Sequence, residues 1–270
     1  MAINILITGG LGHIGSYLIN NLINCDFSNV PVNVLESADI ILHLAAITDA
    51  ANPNNHDDIE TINIGLTKLF IDQCAKHSDA KFIFPSSTSV YGVSSECVTE
   101  DDDKFINPQS PYAESKIEIE NYLKKSNIKY TILRLGTIFG VSWGMRFHTA
   151  INKFCYQAAL GLPLTIWKQN YNQYRPYLGL SDCRDGILQT INNKSERQVF
   201  NLITNNYKLD YIVELMNSIK KVNLNMVNTP LLNQYSYKVD VSKIKRLGYY
   251  SRSNIHNEIQ KTISLFDSVN

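Results

Sequence analysis

The sequence predicts an α/β protein, a doubly wound parallel sheet with a smaller C-terminal lobe. Three observations carry that prediction. Short β-branched runs alternate with longer amphipathic ones up to about residue 140. A turn with regularly spaced glycines joins the first run to the first amphipathic segment. Beyond residue 140 the elements shorten and mix, with aromatic and Asn-rich stretches between them.

In chain order, Ile3–Thr8 reads as a buried strand and His13–Asn24 as the helix that follows it. Asp39–Leu44 is the next strand, and a helix follows from Asp57 to His77. Lys81–Pro85 is a third strand, Pro111–Lys125 a helix, and Lys129–Leu135 a fourth strand. In the second half, Met145–Leu160 reads as helical, Leu164–Trp167 as extended, Ser181–Asn192 as helical and Val199–Leu202 as extended. Leu209–Lys220 and Asn254–Phe266 read as further helices. This divides the chain into residues 1–140, a nucleotide-binding part, and residues 141–270, mainly a substrate lobe, with segments that interleave.

The 270 residues are ample for one large α/β unit, and 44% hydrophobic with 19% charged is ordinary globular composition. Twenty-five basic residues balance twenty-five acidic ones, so charge gives no reason to expect nucleic acid or an acidic membrane as partner. Cys25, Cys74, Cys97, Cys155 and Cys183 are scattered and form no C-x-x-C pair, which argues for reduced thiols and against a metal site. The first ten residues run directly into strand and turn without a basic leader, and no stretch has the ~18 apolar residues of a membrane helix. A cytoplasmic protein is the expectation.

Thr8-Gly-Gly-Leu-Gly-His-Ile-Gly15 sets Gly9, Gly12 and Gly15 at three-residue intervals between a strand and a helix. The first allows a tight turn, the second lets backbone N–H groups approach a pyrophosphate, and the third lets helix pack on strand. Further on, Phe82-Ile-Phe-Pro-Ser-Ser-Thr-Ser-Val-Tyr-Gly92 ends a strand in a cluster of hydroxyls. Pro111-Tyr-Ala-Glu-Ser-Lys116 opens a helix with Tyr112 and Lys116 four apart, hence on one face. A cation beside a phenol favours phenolate, so Lys116 is expected to bring Tyr112 toward its working pH as a general acid or base. A serine on the neighbouring strand end is placed to hold a reacting sugar oxygen.

Together with Asp39-Ile-Ile-Leu-His-Leu-Ala-Ala46, Asn63-Ile-Gly-Leu-Thr67, Leu133-Arg-Leu-Gly-Thr-Ile-Phe-Gly140 and Arg175-Pro-Tyr-Leu-Gly-Leu-Ser-Asp182, these motifs resemble the NAD-dependent epimerase/dehydratase family. Its members are extended short-chain dehydrogenase/reductases acting on nucleotide sugars. The resemblance covers nearly the whole chain and implies a Rossmann-type fold, NAD as cofactor with NADP left open, a nucleotide-sugar substrate, and a homodimer through helices 57–77 and 111–125. It implies Ser87, Tyr112 and Lys116 as catalytic residues, with Lys116 also bonded to the nicotinamide ribose. Cofactor contacts fall on Gly9, Gly12, His13, Ile14, Gly15, Asp26, Leu44, Ala45, Ala46, Asn63, Tyr112, Lys116 and Leu135. Substrate contacts fall on Thr48, Thr88, Thr137, Met145, Arg146 and Arg175, the arginine that grips the nucleotide diphosphate.

Thr88 and Ser89 stand where the family's 4,6-dehydratases carry an Asp-Glu pair, which disfavours dehydration. A cysteine of the fucose-forming members is also absent at Ser89. A 4-epimerase is the first expectation and a 4-ketoreductase the alternative. His148 and Cys155, seven apart, are read as belonging to an apolar helix with a buried thiol.

The sequence departs from the family between Asn24 and His43. About eighteen residues are too few for the strand, helix and strand found there in relatives. Family strands 2–3 are expected to be missing, leaving the first strand at an exposed edge and no acidic residue for the adenosine ribose. A binding protein without catalysis, or a subunit that needs a partner, is the alternative this gap raises.

Overall fold

The computed structural model describes residues 3–18, 27–49, 56–193, 195–228 and 236–267. Five parallel strands form the central sheet, in the order Ile5–Thr8, Ile40–His43, Lys81–Ser87, Tyr130–Leu135, Gln198–Leu202. Successive strand residues point to opposite faces, and both faces here are apolar. Ile41, Phe82, Phe84 and Ile132 pack with Ile71, Ile119 and Leu123 of two helices on one side. Ile40, Leu42, Ile83 and Leu133 pack with Cys183 and Ile187 of the Leu180–Asn192 helix on the other. The chain is thus doubly wound.

The Pro111–Lys125 helix starts where the sequence dictates. Ser110 accepts the Ala113 N–H at 3.2 Å, Pro111 fills the first turn, and Lys124 and Lys125 sit at the negative end of the dipole. The expected helix at 57–77 is interrupted. His56–Asp58 and Thr67–His77 are α-helical, but Ile59–Leu66 between them is a π-helix, and Thr67 Oγ1 donates to the Ile62 carbonyl at 3.1 Å.

In the C-terminal half, Tyr174–Gly179 is a strand, flanked by Asn205–Lys208 antiparallel and Thr137–Phe139 parallel. The sequence reading left 170–177 irregular; its Asn and Tyr content hid a segment whose second half is buried. Leu164–Trp167 pairs with Leu224–Val227. Helices Ala150–Ala159, Leu209–Ile219 and Ile255–Asp267 enclose a separate core around Phe154, Cys155, Ile212, Met216, Ile259 and Ile263. The first of these begins five residues later than expected. Residues 141–149 stay outside the helix, and Thr149 is extended at φ −106°. Since Leu180–Asn192 and Gln198–Leu202 belong to the large sheet, the two halves interleave.

Between the first two strands the described residues hold a 3-10 turn, Phe27–Asn29, and a short helix, Val32–Ser37, that the sequence did not reveal. The Leu35 side chain anchors this helix on the sheet and is fully buried. Asp26 and Cys25 lie outside the described residues, as does most of the second half of the expected His13–Asn24 helix, of which His13–Leu18 is seen. Among the described residues, Ile5–Thr8 has one sheet neighbour, and Ile3 and Ile5 are exposed.

Candidate active site

The C-terminal ends of the first four sheet strands open into one cleft of about 290 Å³. Its floor begins at the glycine turn. Gly9 has φ +71°, and a β-carbon there would stand 2.5 Å from the Ala45 backbone nitrogen, so the turn and the strand end Leu44–Ala45 pack as bare backbone. The Gly12 N–H donates to the Gly9 carbonyl at 3.0 Å and closes the turn. Beneath it, Thr8 Oγ1 and His43 Nδ1 are 2.8 Å apart, and His43 Nε2 lies 3.2 Å from Thr67 Oγ1. His43 is fully enclosed by Phe27, Phe70, Phe82 and Phe84, and burial pulls its pKa down to about 3, helped by the Lys116 charge.

Segment 140–149 crosses over this turn. The Gly140 carbonyl is 3.0 Å from His13 Nε2, and the Gly144 N–H donates to Ser16 Oγ at 2.9 Å. A β-carbon on Gly144 would lie 2.5 Å from the Gly12 carbonyl carbon and from the Leu11 oxygen. The strap carries Arg146 and His148 to the mouth of the cleft.

On the facing wall, Ser87, Tyr112 and Lys116 come together. Ser87 Oγ accepts the Ser89 N–H at 3.1 Å and the Ser89 hydroxyl at 2.9 Å. With both lone pairs engaged, its proton is left for the Tyr112 side, where Ser87 acts to lower the phenol pKa. Lys116 Nζ donates to the Pro85 carbonyl at 2.9 Å and lies 5.6 Å from the centre of the Tyr112 ring. Burial pulls Lys116 down to about 8, against the Glu120 carboxylate, which raises it. The expectation that Tyr112 is lowered is corrected. Desolvation dominates and pushes the phenol up to about 12, with Ser87 and Arg146 opposing. The cause is burial of the phenol, while the Lys116 ammonium donates to the Pro85 carbonyl and lies 5.6 Å from the ring centre.

Most sequence-predicted site residues meet in this cleft: Gly9, Gly12, His13, Ile14, Gly15, Leu44, Ala46, Thr48, Ser87, Thr88, Tyr112, Lys116, Leu135, Thr137, Arg146 and Arg175 all line it. Three do not. Asn63 grips Ile47 instead, accepting its N–H and donating to its carbonyl, both at 2.8 Å, so it braces the wall from behind. Ala45 contributes backbone beneath Gly9. Met145 is not part of the cleft lining, and its N–H is bonded to the Ser142 carbonyl at 3.2 Å.

The reading of His148 is also corrected. It precedes the helix and lines the cleft, while Cys155 is buried in the C-terminal core. Burial and the nearby Arg146 lower the His148 pKa, and Asp49 raises it. Sequence reasoning further missed Tyr237, which donates to Thr88 Oγ1 at 3.2 Å from 149 residues away. No local signal marks it. Ser86, Ser89 and Thr149 were within reach, as part of the hydroxyl cluster and as the residue before a helix.

Two buried polar atoms on the cleft wall lack a partner, Thr48 Oγ1 and Arg175 Nη2. Such groups cost about 1–3 kcal/mol each unless a ligand satisfies them. Among the described residues, five basic or imidazole side chains line the cleft and no carboxylate does, which suits a polyanion. The glycine turn, which admits no β-carbon at Gly9, supplies the close backbone approach a pyrophosphate requires. The residues present therefore fit a dinucleotide beside a second phosphorylated ligand.

Residues 26–202 match the NAD dependent epimerase/dehydratase family. The chain belongs to that family. An uncharacterised UDP-glucose epimerase of Bacillus subtilis is 31% identical over 180 residues, covering 64% of this chain and 54% of that protein. This chain thus spans about half of that relative's length. An uncharacterised protein of Methanocaldococcus jannaschii is 30% identical over 243 residues, with 84% and 72% covered. Among solved structures, a UDP-glucuronic acid 4-epimerase from Bacillus cereus, bound to UDP-glucuronic acid and NAD, superposes with a TM-score of 0.87 at 24% identity, covering 99% of this chain and 100% of that one. A UDP-glucose 4-epimerase from Thermotoga maritima gives 0.85 at 20% identity, with 99% of each chain covered. The family match begins after the glycine turn, so that motif stands on its own geometry. Among the described residues no helix is long and apolar enough to cross a membrane, and no cluster of side chains has the makings of a metal site.

Proposed function

We propose that this family member is a nucleotide-sugar 4-epimerase working with NAD, with Ser87, Tyr112 and Lys116 as its catalytic residues. The observation that carries this is the chain of hydroxyls Ser89–Ser87–Tyr112 ending beside Lys116, in the same cleft as the glycine turn. Gly9, Gly12 and the backbone after Thr8 would hold the cofactor pyrophosphate, and Lys116 the nicotinamide ribose. When bound, NAD supplies the hydride acceptor for the sugar carbon.

Tyr112 takes and returns the proton of the sugar 4-hydroxyl. Burial keeps the phenol protonated, and positive charge entering beside it favours the phenolate and fits it to act as a base. Ser87 donates to the reacting oxygen, and Ser89 keeps that donor aimed. Arg175, stacked over Tyr237 with one unpaired nitrogen, meets the substrate diphosphate. Dehydration is disfavoured because Thr88 accepts from Tyr237 and Ser89 is committed to Ser87, leaving no carboxylate for elimination.

The test is conversion of UDP-glucose, UDP-glucuronic acid and UDP-N-acetylglucosamine, followed by chromatography of the 4-epimers, for wild type and Tyr112→Phe. Epimer formation, lost by at least about 100-fold in Tyr112→Phe with NAD binding kept, supports the proposal. Stoichiometric consumption of NAD(P)H on a 4-keto sugar makes it a ketoreductase. Binding of sugar nucleotide without any turnover makes it a binding protein.

A further inference from the structure

The helix that carries Tyr112 and Lys116 has a third buried polar residue on the same face, Glu120, one turn further on. These three residues meet three consecutive residues of the neighbouring strand. Tyr112 faces Ser87 across the cleft wall, Lys116 donates to the Pro85 carbonyl at 2.9 Å, and Ser86 Oγ donates to Glu120 Oε1 at 2.6 Å. Helix and strand end are clasped by the last two of these contacts. Glu120 is in turn gripped by Arg134 of the next strand, Nε to Oε1 at 3.0 Å and Nη2 to Oε2 at 2.6 Å. Arg134 Nη1 also donates to the Tyr91 hydroxyl at 3.0 Å, and Tyr91 donates to Asn201 Oδ1 at 2.5 Å.

Both charges are removed from solvent, at 0% exposed for Glu120 and 1% for Arg134. A sealed ion pair is poor value for stability alone, because desolvation cancels most of its attraction. Its position suggests what it does instead. We propose that Glu120 is the positioning residue of the proton-transfer pair: it fixes the Ser86–Ser87 strand end against the Tyr112–Lys116 helix and supplies the counter-charge that keeps Lys116 a cation.

The groups facing Lys116 are few. On its own helix are Tyr112 and Glu120, from the Ile40–His43 strand comes His43, and from the Lys81–Ser87 strand come only the Pro85 carbonyl and the Phe84 ring, 4.7 Å away. Burial keeps His43 neutral, and Arg134 lies behind Glu120. Glu120 is therefore the acidic group acting on Lys116, and its influence is to hold the proton on. Without it, burial acts unopposed and Arg134 becomes an unpaired cation behind the site, so the proton is held less firmly on Lys116.

The proposal rests on the role given above to Tyr112, so its primary readout is independent of turnover. Lys116 is labelled competitively with acetic anhydride from pH 6 to 10.5 and quantified by mass spectrometry, in wild type, Glu120→Gln and Glu120→Gln/Arg134→Met. Glu120→Gln is expected to lower the labelling midpoint by about one pH unit or more. The double variant, with both charges gone, returns the midpoint part of the way. Where turnover is measurable, the basic limb of kcat moves down with the midpoint and KM is unchanged.

A merely structural pair predicts lower melting temperatures with an unmoved midpoint, and that result overturns the proposal, as does a midpoint in the double variant at or below that of Glu120→Gln. If the Gln variants do not fold, Glu120→Asp, which keeps Arg134 paired and retracts the carboxylate by one methylene, must still lower the midpoint measurably; an unchanged midpoint there overturns it equally. A shifted midpoint in a protein with no epimerase activity leaves this proposal standing and removes the one above.

Discussion

Replacing Gly144 by alanine tests whether the strap over the glycine turn holds the cofactor site together. The new β-carbon would stand 2.5 Å from the Gly12 carbonyl carbon, 2.5 Å from the Leu11 oxygen and 2.6 Å from the Gly12 oxygen. Carbon contacts settle near 3.5–4.0 Å, so the strap must withdraw by about 1 Å. The Gly144 N–H to Ser16 Oγ bond, now 2.9 Å, then opens to about 3.9 Å and is lost. One hydrogen bond is worth about 1 kcal/mol and overpacking about 1–3 kcal/mol, so the local cost is about 2–4 kcal/mol. Backbone on backbone leaves no flexible side chain to absorb it. Because the displaced segment presses on the turn that would meet the pyrophosphate, the cost falls on cofactor binding. Calorimetric titration with NAD should show the dissociation constant of Gly144→Ala raised about 10-fold or more, since each 1.4 kcal/mol is one decade. Gly65→Ala is the control, its β-carbon meeting only the Glu60 oxygen at 3.7 Å. An unchanged dissociation constant together with an unchanged melting temperature in Gly144→Ala would refute the reasoning.

Two further outcomes follow from burial and exposure. His43 has a folded pKa of about 3 against 6.5 unfolded, so the stability it contributes is complete above pH 6.5 and is lost as pH falls toward 3. Urea titrations at pH 7 and pH 4.5 should show wild type losing stability and His43→Asn, less stable at pH 7, losing distinctly less between the two; parallel losses would discount this site. The homodimer suggested by family resemblance has one exposed candidate anchor, since Phe70, Ile119 and Leu123 are spent on the core while Leu69 is 61% exposed. Leu69→Glu should lower the sedimentation coefficient from dimer to monomer without changing the melting curve of dilute protein, and a wild-type chain that sediments as a monomer rules the interface out.

The central sheet was legible because its strands are short, largely apolar runs that pack on both faces, and the helix at Pro111 because its cap, proline and terminal lysines are written locally. The cleft was legible for a related reason. Residues at the ends of parallel strands converge whatever the rest of the chain does, so Gly9, Leu44, Ser87 and Leu135 share a site. What escaped depends on long-range contact. Tyr237 reaches Thr88 across the C-terminal lobe, and the helix expected from Met145 starts only at Ala150 because residues before it are drawn over the glycine turn. The Tyr112 shift went the other way for an energetic reason: the sequence shows a lysine four residues on, but not that both groups are desolvated and that the lysine is held by Pro85.

The pairing of the first strand gives the strap a larger share of the work. Among the described residues, Ile5–Thr8 is paired on one side only, and its side chains Ile5 to Ile7 are not fully covered. Among those residues the strand receives hydrogen bonds from Ile40–His43 alone. The turn that follows it is instead buttressed from the middle of the sequence, through His13 to Gly140, Ser16 to Gly144, and bare backbone at Gly12 against Gly144. The proton-transfer wall has no such dependence, because its two helix–strand hydrogen bonds and the Glu120–Arg134 pair lie in the middle of the sheet. Weakening the edge should therefore raise the cofactor requirement while leaving the Ser87–Tyr112–Lys116 geometry intact, whereas weakening the clasp should do the reverse. Gly144→Ala and Glu120→Gln separate the two: the first is expected in the dissociation constant of NAD and the second in the Lys116 titration, and a variant at either position that moved both equally would mean that the two walls of the cleft fold as one unit.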